Sequence, residues 1–152
     1  MKKLYFLLFA PILSFSAQIE GTWKLAPQAA ALGVGPSGPG DMSWWANGAG
    51  DVTTRACFFD DSIKFEANGT MTHYMDGSTW LETWQGVAAE GCGAPVAPHV
   101  GGAATYAYDA AAGTLTVNGL GAHIGLAKVN NAGEISNGAP VASTITYQVS
   151  FS

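Results

Sequence analysis

Apolar and polar residues alternate with a period of two in a succession of short segments, and no stretch shows a convincing amphipathic-helix spacing. The clearest alternation is IKFEANGTMTHYM, Ile63 to Met75, where Asn68-Gly69 is the favoured pair for a two-residue type I′ turn. With Ala67 opposite Thr70, the predicted register sets Phe65 against Thr72 and Ile63 against Tyr74 on an apolar face. Lys64 then meets His73 and Glu66 meets Met71 on a polar face. A first strand is predicted from Ile19 to Leu25, with Trp23 and Leu25 on one side, and another from Thr79 to Gln85, where Trp80, Glu82 and Trp84 share a face. Ala104 to Tyr108 faces Leu115 to Val117 across DAAAGT, with Gly113 available for a positive φ. A weaker strand is predicted over His123 to Val129. The last one carries Ile145, Tyr147, Val149 and Phe151 on one face and Thr144, Thr146, Gln148 and Ser150 on the other. About eight short antiparallel strands result, an all-β pattern that suits a small closed barrel or a sandwich.

The first residues break this pattern. MKKLYFLLFAPILSFSAQ joins two lysines, a short apolar run and the small residues Ser14, Ser16 and Ala17, the build of a secretory signal peptide. The run is too short to span a bilayer of roughly 30 Å, so residues 1–17 are assigned to a leader and 18–152 to one exported domain. In an oxidising compartment the two cysteines, Cys57 and Cys92, are expected to form a disulfide. Each lies in a long connection, 26–60 and 86–102, so the bridge is expected to staple two loops into a rigid cap. Within the first, APQAAALGVGPSGPG has the composition of a mobile loop, whereas the part carrying Trp44, Trp45 and Cys57 must be tied down.

Without the leader, Lys24, Arg55, Lys64 and Lys128 stand against eleven acidic residues. That balance repels phosphate backbones and anionic membrane surfaces, leaving neutral sugars or small apolar molecules as the compatible ligands.

Gly21-Thr22-Trp23 near the start, Phe65-Glu66-Ala67-Asn68-Gly69-Thr70 in the first hairpin and the closing ITYQVSF resemble the secreted lipocalin-like domains of bacteria, relatives of the calycin barrels. The resemblance implies an antiparallel up-and-down barrel with the first-strand tryptophan at its closed end. It also implies an accessory role, in some exported proteins beside a glycoside hydrolase domain. Two departures stand out: no basic residue follows Lys128 to meet that tryptophan, and the chain ends on its last strand. Either the barrel closes with fewer strands or a final strand, and a downstream catalytic domain, lies beyond residue 152.

Tryptophan carries the candidate chemistry. Trp80 and Trp84, with Glu82 between them, would offer apolar faces for sugar C–H groups and an acceptor for hydroxyls, and of the adjacent Trp44 and Trp45 one should be buried and the other left for a ligand. Against this stands the plainer reading of Trp80 and Trp84 as core. Glycoside hydrolysis would need two carboxylates about 5–10 Å apart, and the candidates are Glu82 with Asp60 or Asp61. No G-x-S-x-G elbow, calcium loop or zinc spacing occurs, and His73, His99 and His123 are widely scattered, with His73 expected on the solvated face. The reading is thus a secreted, non-catalytic module that binds carbohydrate or a small apolar ligand without cofactor or metal. Its competitors are a polysaccharide hydrolase and a purely structural domain.

Overall fold

The computed structural model describes residues 18–38, 40–128 and 140–151, so the leader expected at 1–17 lies outside the described residues. In chain order the elements are β1 (Gly21–Trp23), β2 (Gly33–Val34), β3 (Trp45–Ala46), α1 (Ala49–Thr54), α2 (Ala56–Phe59), β4 (Ser62–Phe65), β5 (Thr70–Tyr74), β6 (Thr79–Leu81), a 3-10 turn (Thr83–Gln85), β7 (Gly91–Gly93), β8 (Gly102–Asp109), β9 (Thr114–Asn118) and β10 (Thr144–Gln148). Six strands form one antiparallel sheet in the order β1-β4-β5-β8-β9-β10, while β2-β3 and β6-β7 are separate two-stranded ladders.

Period-two alternation puts the core on one face of the large sheet. Cross-strand partners Phe65, Met71 and Ala104 form one inward row, and Tyr108, Leu115 and Tyr147 another. Met71, Leu115 and Val117 are each 1% exposed, and burial of such a side chain contributes about 1.5–3 kcal/mol. Ile19 closes over this row, and the Phe65 and Tyr106 rings meet edge-on at 4.9 Å. The opposite face is polar: Lys64 Nζ lies 2.8 Å from Glu66 Oε1, and the Thr116 and Thr146 hydroxyls are 2.9 Å apart. The β8-β9 hairpin and the facing of β10 follow the alternation, with Gly113 at φ 63°.

The first hairpin differs from expectation by one residue. Phe65 pairs with Met71, Lys64 with Thr72, Ile63 with His73 and Ser62 with Tyr74. The loop has three residues rather than two: the Gly69 N–H donates to Glu66 O, Gly69 takes φ 84°, and the Glu66 N–H donates to Thr70 O. This is a type I turn followed by a left-handed glycine, the other common solution for Asn-Gly. A slip of one residue sends every side chain of a strand to the other face. Met71 and His73 therefore point inward and Tyr74 outward, so His73, expected to be solvated, is 7% exposed.

Other expectations are corrected as well. The strand begun at Thr79 stops at Leu81, where the chain turns into Thr83–Gln85, so Trp80 and Trp84 do not share a strand face. No strand forms over 123–128, and residue 129 lies outside the described residues. The long connection 26–60 is not a bare loop but holds β2, β3 and two short helices. Their length explains why no apolar period announced them: six and four residues are too few to display one. Finally, the expected barrel closure is absent among the described residues, where β1 pairs with β4 and β10 with β9. The two edges approach through side chains instead, the Trp23 ring lying 5.7 Å from Phe151 just beyond β10.

Candidate functional site

Outside the six-stranded sheet, β2-β3, α1, α2 and β6-β7 form a cap built from specific contacts. Asn47, 3% exposed, clamps its first part. Its side-chain oxygen accepts the Leu32 N–H and its amide donates to Gln28 O, while its backbone bonds Ala30 and Leu32, fixing the β2-β3 ladder. The Gly48 N–H donates to Asp51 Oδ2 at 2.7 Å, which starts α1 as half of a capping box. Cys57 on α2 and Cys92 on β7 form the expected disulfide, with Cα atoms 5.9 Å apart. The bridge joins a helix to a strand rather than two loops.

That bridge sets the geometry of the aromatic residues. Trp80 is the cross-strand partner of Cys92 and projects from the same side of the β6-β7 ladder. The disulfide draws α2 onto this side, and Arg55, two residues before Cys57, lands between two tryptophans. Its guanidinium lies 4.5 Å from the Trp80 ring centre and 4.9 Å from that of Trp45, a double cation–π contact. Trp45 is thereby half-buried, while its neighbour Trp44 is 71% exposed.

Glu82 is held from two sides. The Trp84 indole N–H donates to Glu82 Oε2 at 2.6 Å, and Lys128 Nζ lies 3.7 Å from the same oxygen. Asp60 is exposed. Asp61 is buried against β6, where the Thr79 hydroxyl donates to its Oδ2 at 2.7 Å, and its Oδ1 has no hydrogen-bond partner among the described residues. Burial, helped by the charges of Asp60 and Asp76 and opposed by Thr79 and Lys24, pushes the Asp61 carboxyl up to about 7. That is a proton-donor's range, but Asp61 lines neither of the two clefts described below.

The fold brings together what the sequence reading left apart. All three histidines are buried, at 7%, 3% and 3% exposure for His73, His99 and His123. They form a file with Trp84: Trp84 to His99 at 5.5 Å, His99 to His123 at 5.6 Å and His123 to His73 at 5.3 Å between ring centres, each pair edge-on. A carbonyl only accepts, so the 2.8 Å contact of His123 Nδ1 with Gly121 O places the proton on Nδ1. Burial holds His73 and His123 down at about 4, with His123 adding to the shift at His73 and His99 to that at His123, and burial also lowers His99. All three are neutral at pH 7. Their spacing does not converge on a metal: among the described residues no three His, Cys, Asp or Glu side chains could hold one.

Two clefts flank this file. One, lined by Phe58, Trp80, Glu82, Gln85, His99 and His123, has a free volume of about 20 Å³. The other, beside Met71, His73, Gly101, Leu120, Gly121 and His123, has about 90 Å³. His123 borders both.

Of the residues named from sequence, Trp45 and Trp80 meet around Arg55, Trp84 bonds Glu82, and Trp44 stands apart in solvent. Arg55, Asn47 and the histidine file were missed. A signal for the histidines existed. His99 is the sole ionisable side chain but for tyrosines and Cys92 between Glu90 and Asp109, as is His123 between Asp109 and Lys128, which marks both as interior positions. No family model matches this chain, and no curated protein or solved structure matches it either.

Proposed function

We propose that this protein is an exported, non-catalytic module that binds a neutral saccharide through the cap. The observation that carries this reading is Trp44, a residue 71% exposed while the one next to it is stacked on Arg55. A large apolar ring held in solvent by a fixed scaffold loses little entropy on binding and suits the C–H face of a sugar ring. The surplus of acidic residues leaves a neutral ligand unaffected. A small apolar ligand is the other chemistry such a ring would accept. Export is supported by the leader-like first residues and by the disulfide; among the described residues no helix is long and apolar enough to cross a membrane. The contact of Trp23 with Phe151 supports a sheet curled toward a lipocalin-like barrel, and an accessory role beside a downstream catalytic domain fits the same reading.

Titration of the wild-type protein with cellohexaose, xylohexaose and laurate, followed by tryptophan fluorescence, tests this proposal. Saturable binding of a hexaose that weakens at least tenfold in Trp44→Ala is expected. Response to laurate alone would point to an apolar ligand, and no response to any of the three would leave a structural domain.

A further inference from the structure

The histidine file ties three separate pieces of chain together. His73 stands on β5, His99 on the connection from β7 to β8, and His123 on the segment that follows β9. In each of the two connections the histidine is the anchor: His99 is the one buried residue over 94–101, and His123 the one buried side chain over 119–128. Their neighbours Val100 and Leu120 are 52% and 66% exposed, so apolar burial does little to seat these loops. The backbones are nevertheless in close contact. A Cβ on Gly121 would lie 2.1 Å from Pro98 O, and one on Gly101 2.7 Å from His73 O. Both glycines take a left-handed φ, 77° and 70°, where the chain turns at little steric cost.

Anchors of this kind hold only while uncharged. His123 keeps a proton on Nδ1 for Gly121 O, and among the described residues no carboxylate pairs with any of the three rings. A second proton on His123 would put a buried charge between two imidazoles without a counter-ion, which is costly. The groups around the file offer little relief. Glu82 lines one cleft with His99 and His123 but is bonded by Trp84 and lies near Lys128; Asp61, bonded to Thr79, lines neither cleft, and Arg55 lies over Trp80. Phe58 comes from α2, the Tyr147 hydroxyl of β10 accepts the Ile124 N–H, and Ile63 and Gly102 flank His73 across β4 and β8.

We infer that the two connections form an acid-released latch: proton uptake by the histidine file frees the segments carrying His99 and His123 from β5 and opens the clefts that His123 borders, while the six-stranded sheet stays paired. Closed, His73 and His123 take up a proton only near pH 4, whereas in water each does so near 6.5. The opened form therefore binds more protons over that interval, and each proton so linked raises its population about tenfold per pH unit. The latch does not depend on the identity of any ligand.

Amide hydrogen exchange of the full chain at pH 7 and pH 4.5, taken relative to the intrinsic rate at each pH, reads the opening. At pH 7 the His99, Ala122 and Ile124 amides, each hydrogen-bonded, are expected to be protected. At pH 4.5 that protection should be lost, while Leu115 and Val117 in β9 remain protected at least a hundredfold. His123→Phe keeps a ring and cannot titrate, so its Ala122 and Ile124 amides should exchange at least tenfold more slowly than those of wild type at pH 4.5. Nitrogen resonances of histidine-labelled wild type, which needs no substitution, should show the rings gaining protons together with the loss of loop protection. Loop amides still protected at pH 4.5, loops and β9 losing protection together, or a folded His123→Phe that opens as readily as wild type would each overturn the latch.

Discussion

The six-stranded sheet and the cap are held by different physics. In the sheet, Phe65, Met71, Leu115 and Val117 contribute through area removed from water, a diffuse term in which neighbouring side chains share. In the cap, β2-β3, α1, α2 and β6-β7 bury few apolar side chains, chiefly Cys57, Phe59 and Leu81, and single contacts add much of the holding: Asn47 to Leu32 and Gln28, Arg55 between two rings, Asp61 to Thr79, and Cys57 to Cys92. The sheet should therefore fail gradually and as a whole, and the cap abruptly and piece by piece. The candidate ligand contacts all sit in the region of the second kind, where loops positioned by a scaffold usually carry function.

The largest effect expected follows from this contrast. Removing the bridge by Cys57→Ala with Cys92→Ala releases a loop of 35-residue separation, a loss of about 4 kcal/mol in the chain-entropy account. Leu115→Ala, at the centre of the sheet, should cost about 3 kcal/mol. The two should differ in form more than in size. Four of the five tryptophans lie in the cap, so in the cysteine variant denaturation followed by tryptophan fluorescence should precede that followed by far-ultraviolet circular dichroism. In Leu115→Ala the two curves should shift together. Coincident curves in both variants would show one cooperative unit and remove the contrast.

Acid separates the regions a second way. His73 and His123 bind protons near 6.5 when unfolded but only near 4 when folded, so the unfolded state takes up more protons and stability falls as pH drops from about 6.5 to 4. Each shift corresponds to about 3 kcal/mol. Asp61 runs in the opposite sense. Folded, it keeps its proton up to about 7, against 3.8 unfolded, so its contribution is present in acid and lost as pH rises through 7. The Asp61 carboxyl thus offsets part of the acid sensitivity of the histidine file. Asp61→Asn should steepen the fall in unfolding free energy between pH 7 and pH 4 by at least about 1 kcal/mol relative to wild type, read from denaturant titrations. A variant whose pH profile runs parallel to wild type would show that Asp61 titrates normally.

The same division governs how far the sequence could be read. β8, β9 and β10 were legible because each has one wet and one dry face, and alternation is the whole of their logic. The cysteine pair was legible from compartment and count. Arg55 between Trp45 and Trp80 was not, because it depends on which side of β7 carries Cys92 and on where a four-residue helix begins. Trp80 and Trp84 were misassigned to one face because nothing in TWLETWQG marks the turn at Thr83 except Gly86, which ends it at φ 88°. Barrel closure depends on sheet curvature and on edge partners, neither of which a local pattern specifies.

The first hairpin offers the finest test, because there the alternation and the turn signal disagreed. Met71, His73 and Met75 alternate with Thr70, Thr72 and Tyr74, which favours the observed register; Asn68-Gly69 read as a two-residue turn favours the other. The sheet resolved the conflict by taking Ala67 into the loop, since the alternative would expose Met71, now 1% exposed. Deleting Ala67 removes the disagreement. Glu66 and Thr70 already bond across the loop, so the shortened chain keeps Phe65 opposite Met71 and leaves Asn68-Gly69 as a type I′ turn, matched to the strand twist. The deletion should change stability by less than about 1 kcal/mol and leave the His73 ring shielded, as its nitrogen resonances and low-pH titration would report. A loss comparable to that of Leu115→Ala, or a His73 that titrates near 6.5, would mean that the loop and its bond from the Tyr106 N–H to Gly69 O, rather than the alternation of β5, hold the register.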